Sequence, residues 1–155
     1  MHILVVDDDI PTVEVIRTSL HWDLLGIDRV ETAYDYTEAQ NKICASQPDI
    51  ILCDIEMPRG SGLDLLRWLR EERAKRSAHF LLEVDGGDCE FVFLPCHANF
   101  DYAKTALQYG AADYITKPFN IAQTEATLSK VASQVRYHQE LLQKSRAGQQ
   151  WEEAH

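Results

Sequence analysis

Two short apolar runs in this 155-residue chain stop abruptly on carboxylates. His2-Ile3-Leu4-Val5-Val6 runs into Asp7-Asp8-Asp9, and Asp49-Ile50-Ile51-Leu52-Cys53 runs into Asp54. Apolar runs of this length, bounded by charge, read as strands buried on both faces, the situation of a parallel sheet covered by helices. An acid at the last position stands where the strand leaves the core. In open α/β sheets ligands bind outside the carboxyl ends of the strands, so acids from two strand ends can meet in one cleft. Carboxylates held together raise one another's pKa unless a cation joins them. Mg²⁺, which takes hard oxygen ligands and keeps several waters, is the simplest such cation.

The rest of the chain alternates strand and helix signals. After the first strand, 2–6, Pro11 opens a helical stretch reaching about Trp22, with Asp9 a candidate N-cap. Ile27 to Ala33 reads as a weaker strand. Asp35 or Thr37 caps a helix running to about Ser46, and Pro48 starts the strand that ends at Asp54. Glu56-Met57-Pro58-Arg59-Gly60-Ser61-Gly62 is a loop by its Pro and Gly content. Ser61 then caps an amphipathic helix beginning near Leu63. Phe91 to Leu94 is a fourth strand, and Asn99 or Asp101 starts a helix that Gly110 ends. Ala112 to Ile115 is a short fifth strand, Lys117-Pro118 a turn, and a long helix follows from about Asn120.

Such β-α alternation predicts a parallel sheet with helices on both faces. Five short strands suit the flavodoxin-like, doubly wound order 2-1-3-4-5. That order places the first and third strands side by side, so Asp7, Asp8 and Asp54 converge. The connection between Glu72 and Cys89 is longer than a tight link needs. Either the preceding helix extends to about Leu82, the reading we prefer, or Gly86-Gly87 turns a hairpin. In the tail, Ile121, Leu128, Val135 and Leu142 recur every seven residues. Residues 1–128 thus form the domain. Residues 129–147 extend as a helix that overhangs beyond about Gln134, as a coiled-coil seam, a linker or a solvated end. Residues 148–155 are expected to be disordered.

Composition narrows the function classes. A formal charge of −10 repels nucleic-acid phosphates and no basic stripe offsets it, so this chain alone is not expected to bind nucleic acid. No apolar run approaches the ~20 residues of a membrane span. The N-terminus begins a strand at once, without a signal-peptide pattern. Cys44, Cys53, Cys89 and Cys96 show no metal-ligand spacing, which speaks against zinc. Reduced thiols and a cytoplasmic location are the expectation.

Several motifs occur in order: Val5-Val6-Asp7-Asp8-Asp9, Cys53-Asp54-Ile55-Glu56-Met57-Pro58, Gly60-x-Gly62-Leu63, Ala111-Ala112-Asp113-Tyr114 and Thr116-Lys117-Pro118-Phe119. On these the chain, from residue 2 to about 128, resembles the receiver domain of bacterial two-component response regulators. The resemblance implies roles residue by residue. Asp54 matches the phosphoacceptor, which attacks a phosphohistidine on a sensor histidine kinase. Asp7 and Asp8 match the acidic pair that holds Mg²⁺, with Asp54 and the backbone carbonyl of Glu56 as further ligands. Lys117 matches the lysine that pairs with the phosphoryl group, and the backbone N–H of Cys96 is placed to contact a phosphoryl oxygen. Tyr114 matches the aromatic switch residue, while Glu56 and His97 occupy positions that tune the lifetime of the phosphorylated state. The face of the fourth and fifth strand-helix units, or the C-terminal helix, is the implied homodimer surface. The output of many relatives is a DNA-binding domain, and none follows residue 130 here.

Two other readings compete. Asp7-x-Asp9 superficially fits the nucleophile motif of haloacid-dehalogenase-type phosphatases, but Pro11 stands where that family has Thr. A phosphorylation-independent pseudo-receiver is the second, and its motive is Pro95. The receiver family places Ser or Thr at that position, and proline has neither hydroxyl nor N–H. The absent hydroxyl normally couples phosphorylation to the inward swing of the aromatic residue. Restoring it by Pro95→Thr should strengthen phosphorylation-dependent dimerisation, read by light scattering; equal dimerisation of mutant and parent would refute the idea.

Overall fold

A computed structural model of the chain describes residues 1–57, 59–79, 89–94, 100–116 and 120–153. Its sheet has five parallel strands in the order β2-β1-β3-β4-β5. The elements in chain order are β1 (His2–Val6), α1 (Ile10–Ser19), β2 (Arg29–Ala33), α2 (Tyr36–Ser46), β3 (Ile50–Asp54), α3 (Gly62–His79), β4 (Glu90–Leu94), α4 (Phe100–Gln108), β5 (Asp113–Tyr114) and α5 (Ile121–Glu153). The doubly wound fold expected from the alternation is therefore the fold observed.

The strand signal follows burial. Every residue of β1 and β3 is buried, and these two strands sit inside the sheet. Side-chain alternation divides their apolar residues between two cores. Ile3, Val5, Ile50 and Leu52 pack with Val13 and Ile16 of α1 and Leu128, Val131 and Val135 of α5. Leu4, Val6, Ile51 and Cys53 pack with Ala39 and Ile43 of α2 and Leu65, Leu66 and Leu69 of α3 on the other face. Edge strand β2 is only partly buried. There Lys42 of α2 donates to the carbonyl of Thr32, occupying an acceptor that the sheet leaves open.

Local chemistry sets the helix starts. Asp35 accepts from the Glu38 N–H at 2.7 Å, and the Glu38 carboxylate accepts from the Tyr34 N–H at 3.1 Å. Ser61 and Asp64 cap reciprocally: Asp64 N–H donates to Ser61 Oγ and Ser61 N–H to Asp64 Oδ2, both at 3.1 Å. Asp9 occupies the N-cap position of α1, but its carboxylate takes the Thr12 hydroxyl instead of a backbone N–H.

Several boundaries differ from expectation. Helix α1 stops at Ser19, short of Trp22, because Leu20 turns extended and buries its side chain. Strand β2 starts at Arg29, two residues after Ile27, where the backbone N–H groups of Asp28 and Arg29 reach the Met1 carbonyl. Helix α3 runs to His79, and residues 80–88, where the helix extension and the hairpin were to be distinguished, lie outside the described residues. Helix α5 does not overhang from Gln134. Val135 is buried, Arg136 Nη1 donates to the Leu25 carbonyl at 3.3 Å, and Gln139 Nε2 donates to Asp49 Oδ1 at 3.1 Å. The other oxygen of Asp49 accepts the His2 N–H at 2.8 Å. The helix then continues past Gly148 to Glu153, where the sequence suggested disorder. One glycine costs a helix only about 1 kcal/mol, and no proline follows it.

The Asp35 cap is a discrete test of this local reading. Asp35→Ala should lower stability by about 1 kcal/mol, seen as a reduced urea midpoint at unchanged slope.

Candidate functional site

The acids meet at the carboxyl edge of β1 and β3. Their register pairs Val6 with Cys53, so Asp7 and Asp54 stand next in line on adjacent strands. Asp7 is fully buried and Asp54 is 3% exposed, while Asp8 reaches the surface. One carboxylate oxygen from each of Asp7, Asp8 and Asp54 lies within 4.8 Å of the others. Asp7 is held from both sides: its N–H donates to the Ala33 carbonyl of β2 at 3.1 Å, and its Oδ1 accepts the Asp9 N–H at 3.0 Å. Asp9 itself stays at the surface as the first residue before α1.

Three converging carboxylates are a hard, anionic donor set of the kind Mg²⁺ takes, and two of them come from rigid strand ends. Burying carboxylates this close together requires compensating positive charge. The donor set therefore fits Mg²⁺, with one ligand open to solvent for exchange. Next to it, Cys53 donates its thiol to the Asp54 carbonyl at 3.1 Å. Burial first, then the charges of Asp54 and Asp7, push this thiol well above its ordinary pKa of 9.0. Cys53 is accordingly a protonated, packed side chain and no nucleophile.

The β3–α3 loop closes over the same edge. Glu56 is exposed and Met57 half-buried. Gly62 N–H returns to the Ile55 carbonyl at 2.9 Å. A methyl group on Gly62 would collide with the Asp54 carbonyl oxygen and stand 3.0 Å from the Phe93 ring. Glycine is thus required for the start of α3 to approach the end of β3. From sequence, this glycine marks only a loop; its contact with the Asp54 backbone is visible only in three dimensions.

Tyr114 ends β5 beside Phe93 and is 40% exposed. Its side chain therefore reaches the surface, as does that of Ile121 at the start of α5. Pro95, Cys96, His97 and Lys117 lie outside the described residues. The described residues thus bring together Asp7, Asp8 and Asp54 and place Glu56 on the adjoining loop. Among them, no helix is long and apolar enough to cross a membrane.

Residues 3–129 match the family model of the response regulator receiver domain. The transcriptional regulatory protein HptR of Staphylococcus aureus (strain NCTC 8325 / PS 47) is 30% identical over 129 residues, which covers 83% of this chain and 45% of HptR. The chain thus spans less than half the length of that curated relative. Two solved structures share the fold closely. The REC domain of AraT, a response regulator from Geobacillus stearothermophilus, gives a TM-score of 0.74 at 25% identity, over 89% of this chain and 97% of that one. A two component transcriptional regulator AraC from Clostridium phytofermentans ISDg gives 0.73 at 25% identity, over 90% and 98%.

The close approach at Gly62 yields a stability test. Gly62→Ala should cost about 1–3 kcal/mol, as overpacking does in a tight interior. Urea denaturation measures it, with amide shifts of Asp54 and Ile55 in NMR spectra reporting displacement of the strand end.

Proposed function

The chain belongs to the response regulator receiver domain family of two-component signalling, and from that membership we propose that Asp54 accepts a phosphoryl group from a sensor histidine kinase. The observation that carries the proposal is the convergence of Asp7, Asp8 and Asp54 within 4.8 Å at one sheet edge. Asp7, Asp8, Asp54 and the backbone carbonyl of Glu56 would hold Mg²⁺. When bound, the ion supplies the positive charge that lets a carboxylate approach phosphoryl oxygens.

The protein's own part is positioning and charge, which is most of what phosphoryl transfer needs. Asp54 Oδ attacks phosphorus as the P–N bond to a kinase histidine, protonated on its other ring nitrogen, breaks, leaving an acyl phosphate on Asp54 and a neutral imidazole. Lys117 pairs with the phosphoryl charge as a compact cation, and the Cys96 backbone N–H takes a phosphoryl oxygen. Water later attacks phosphorus, which leaves as inorganic phosphate and returns the carboxylate, at a rate set in part by Glu56 and His97. Tyr114, at the surface in this structure, would turn inward on phosphorylation, with a coupling weakened by Pro95. The altered surface, on the β4-α4 and β5-α5 face or along α5, would serve homodimerisation. Control of transcription through an output domain outside this sequence agrees with the name of the relative HptR. Residues 1–128 act as the receiver unit and 129–147 as the helical connection to it.

Pro95 also favours a second reading, a receiver fold that binds partners without being phosphorylated. Acetyl phosphate with Mg²⁺, followed by mass mapping, tests both. Label on Asp54, lost in Asp54→Asn and with EDTA, is the expected result. Label on Asp7 would point to phosphatase-like chemistry. No label at all, with no response to beryllofluoride, would leave the binding module.

A further inference from the structure

The loop from Ile55 to Ser61 must hold the Glu56 carbonyl steady, and its backbone takes positive φ at two successive residues, a strain at Arg59 that glycine does not carry. Arg59 has φ +67° and Gly60 φ +151°. Positive φ at a residue with a side chain costs free energy and persists only where the surroundings enforce it. Next to Arg59, Gly60 meets the side chain of Tyr36. A methyl group built on Gly60 would stand 2.7 Å from Cγ and Cδ2 of its ring, so ring and Gly60 backbone lie in direct contact. Tyr36 is the first residue of α2, fixed by the Asp35 cap immediately before it. It is half-buried and packs with Met57 and Leu63 against the core on the α2–α3 face. The loop is thus held at its C-terminal end, by Tyr36 against Gly60 and by Gly62 against Asp54.

We propose that Tyr36 is a positioning residue for the divalent cation: its ring braces Gly60 and so fixes the loop that presents the Glu56 carbonyl to Asp7, Asp8 and Asp54. The inference rests on the phosphoacceptor reading of that acid cluster. It adds a residue from β2–α2, which carries none of the expected ligands, to the group that determines cation affinity. The physical reason is preorganisation. A loop already held in its binding geometry loses less conformational freedom when the ion arrives. The contact is made by Cβ, Cγ and Cδ2, the end of the Tyr36 side chain away from its hydroxyl, so the hydroxyl is dispensable.

The experiment counts bound metal directly, without a phosphoryl donor. Mn²⁺ stands in for Mg²⁺ and is measured by loss of the free-ion EPR signal, with Mg²⁺ as competitor. Tyr36→Ala should weaken Mn²⁺ binding about tenfold, the scale on which supporting residues act. Tyr36→Phe should retain the parent affinity. Denaturation midpoints in EDTA check that each variant is folded. Should Tyr36→Ala fail to fold, Tyr36→Leu, which keeps apolar bulk without a flat ring, is expected to weaken binding in the same direction. Parent-like affinity in a folded Ala or Leu variant overturns the brace and leaves the phosphoacceptor reading standing. Absence of Mn²⁺ binding by the parent chain overturns both.

Discussion

Everything at the acidic edge depends on the pairing of β1 with β3. Two carboxylates about 5 Å apart repel by roughly 3 kcal/mol at an effective dielectric of 20. Against this stand Ile3, Leu4, Val5 and Val6 on one strand and Ile50, Ile51 and Leu52 on the other, all buried at 1% exposure or less. Each such side chain contributes about 2 kcal/mol on burial. The apolar strands therefore dominate, and the acids must stay where the strands end. A cluster made this way is rigid because Asp7 and Asp54 stand at the ends of buried strands, and the fold holds together charges that would separate in water.

The same argument explains what was legible beforehand. Strand ends were readable because a fully buried strand leaves a continuous apolar run, and an acid after such a run has one place to go. Asp7, Asp8 and Asp54 followed from that, as did the strand order. Edge strand β2 carries Arg29 and Glu31 among its five residues, so its run is broken and its start was read two residues early. Helix α5 was read as leaving the domain at Gln134 because periodicity counts apolar residues. The contacts that continue its docking come from Arg136 and Gln139, polar side chains that reach backbone and carboxylate oxygens.

Loop packing was the least legible part. Tyr36 appears in sequence as an unremarked residue near a helix start, and Gly60 as punctuation. Their contact joins two connections that both stand at the carboxyl edge of the sheet, one after β2 and one after β3. Topology brings such loops together, while the sequence sets an aromatic ring on one and a bare backbone on the other. Cys53 illustrates the converse. A thiol beside a buried acid invites a chemical role, but its complete burial and its bond to the Asp54 carbonyl leave it a packing group.

The two polar contacts of α5 give the helix a fixed azimuth. Arg136 engages the turn before β2, and Gln139 engages Asp49 at the start of β3, on consecutive turns of one face. Rotation of the helix about its own axis would break both. Beyond Gln139 the helix behaves as a keyed shaft: each residue carries it about 1.5 Å outward and turns it by about 100°. Anything borne on that shaft would have its bearing relative to the acid cluster determined by residue count, so gaining or losing one residue reorients it far more than it displaces it.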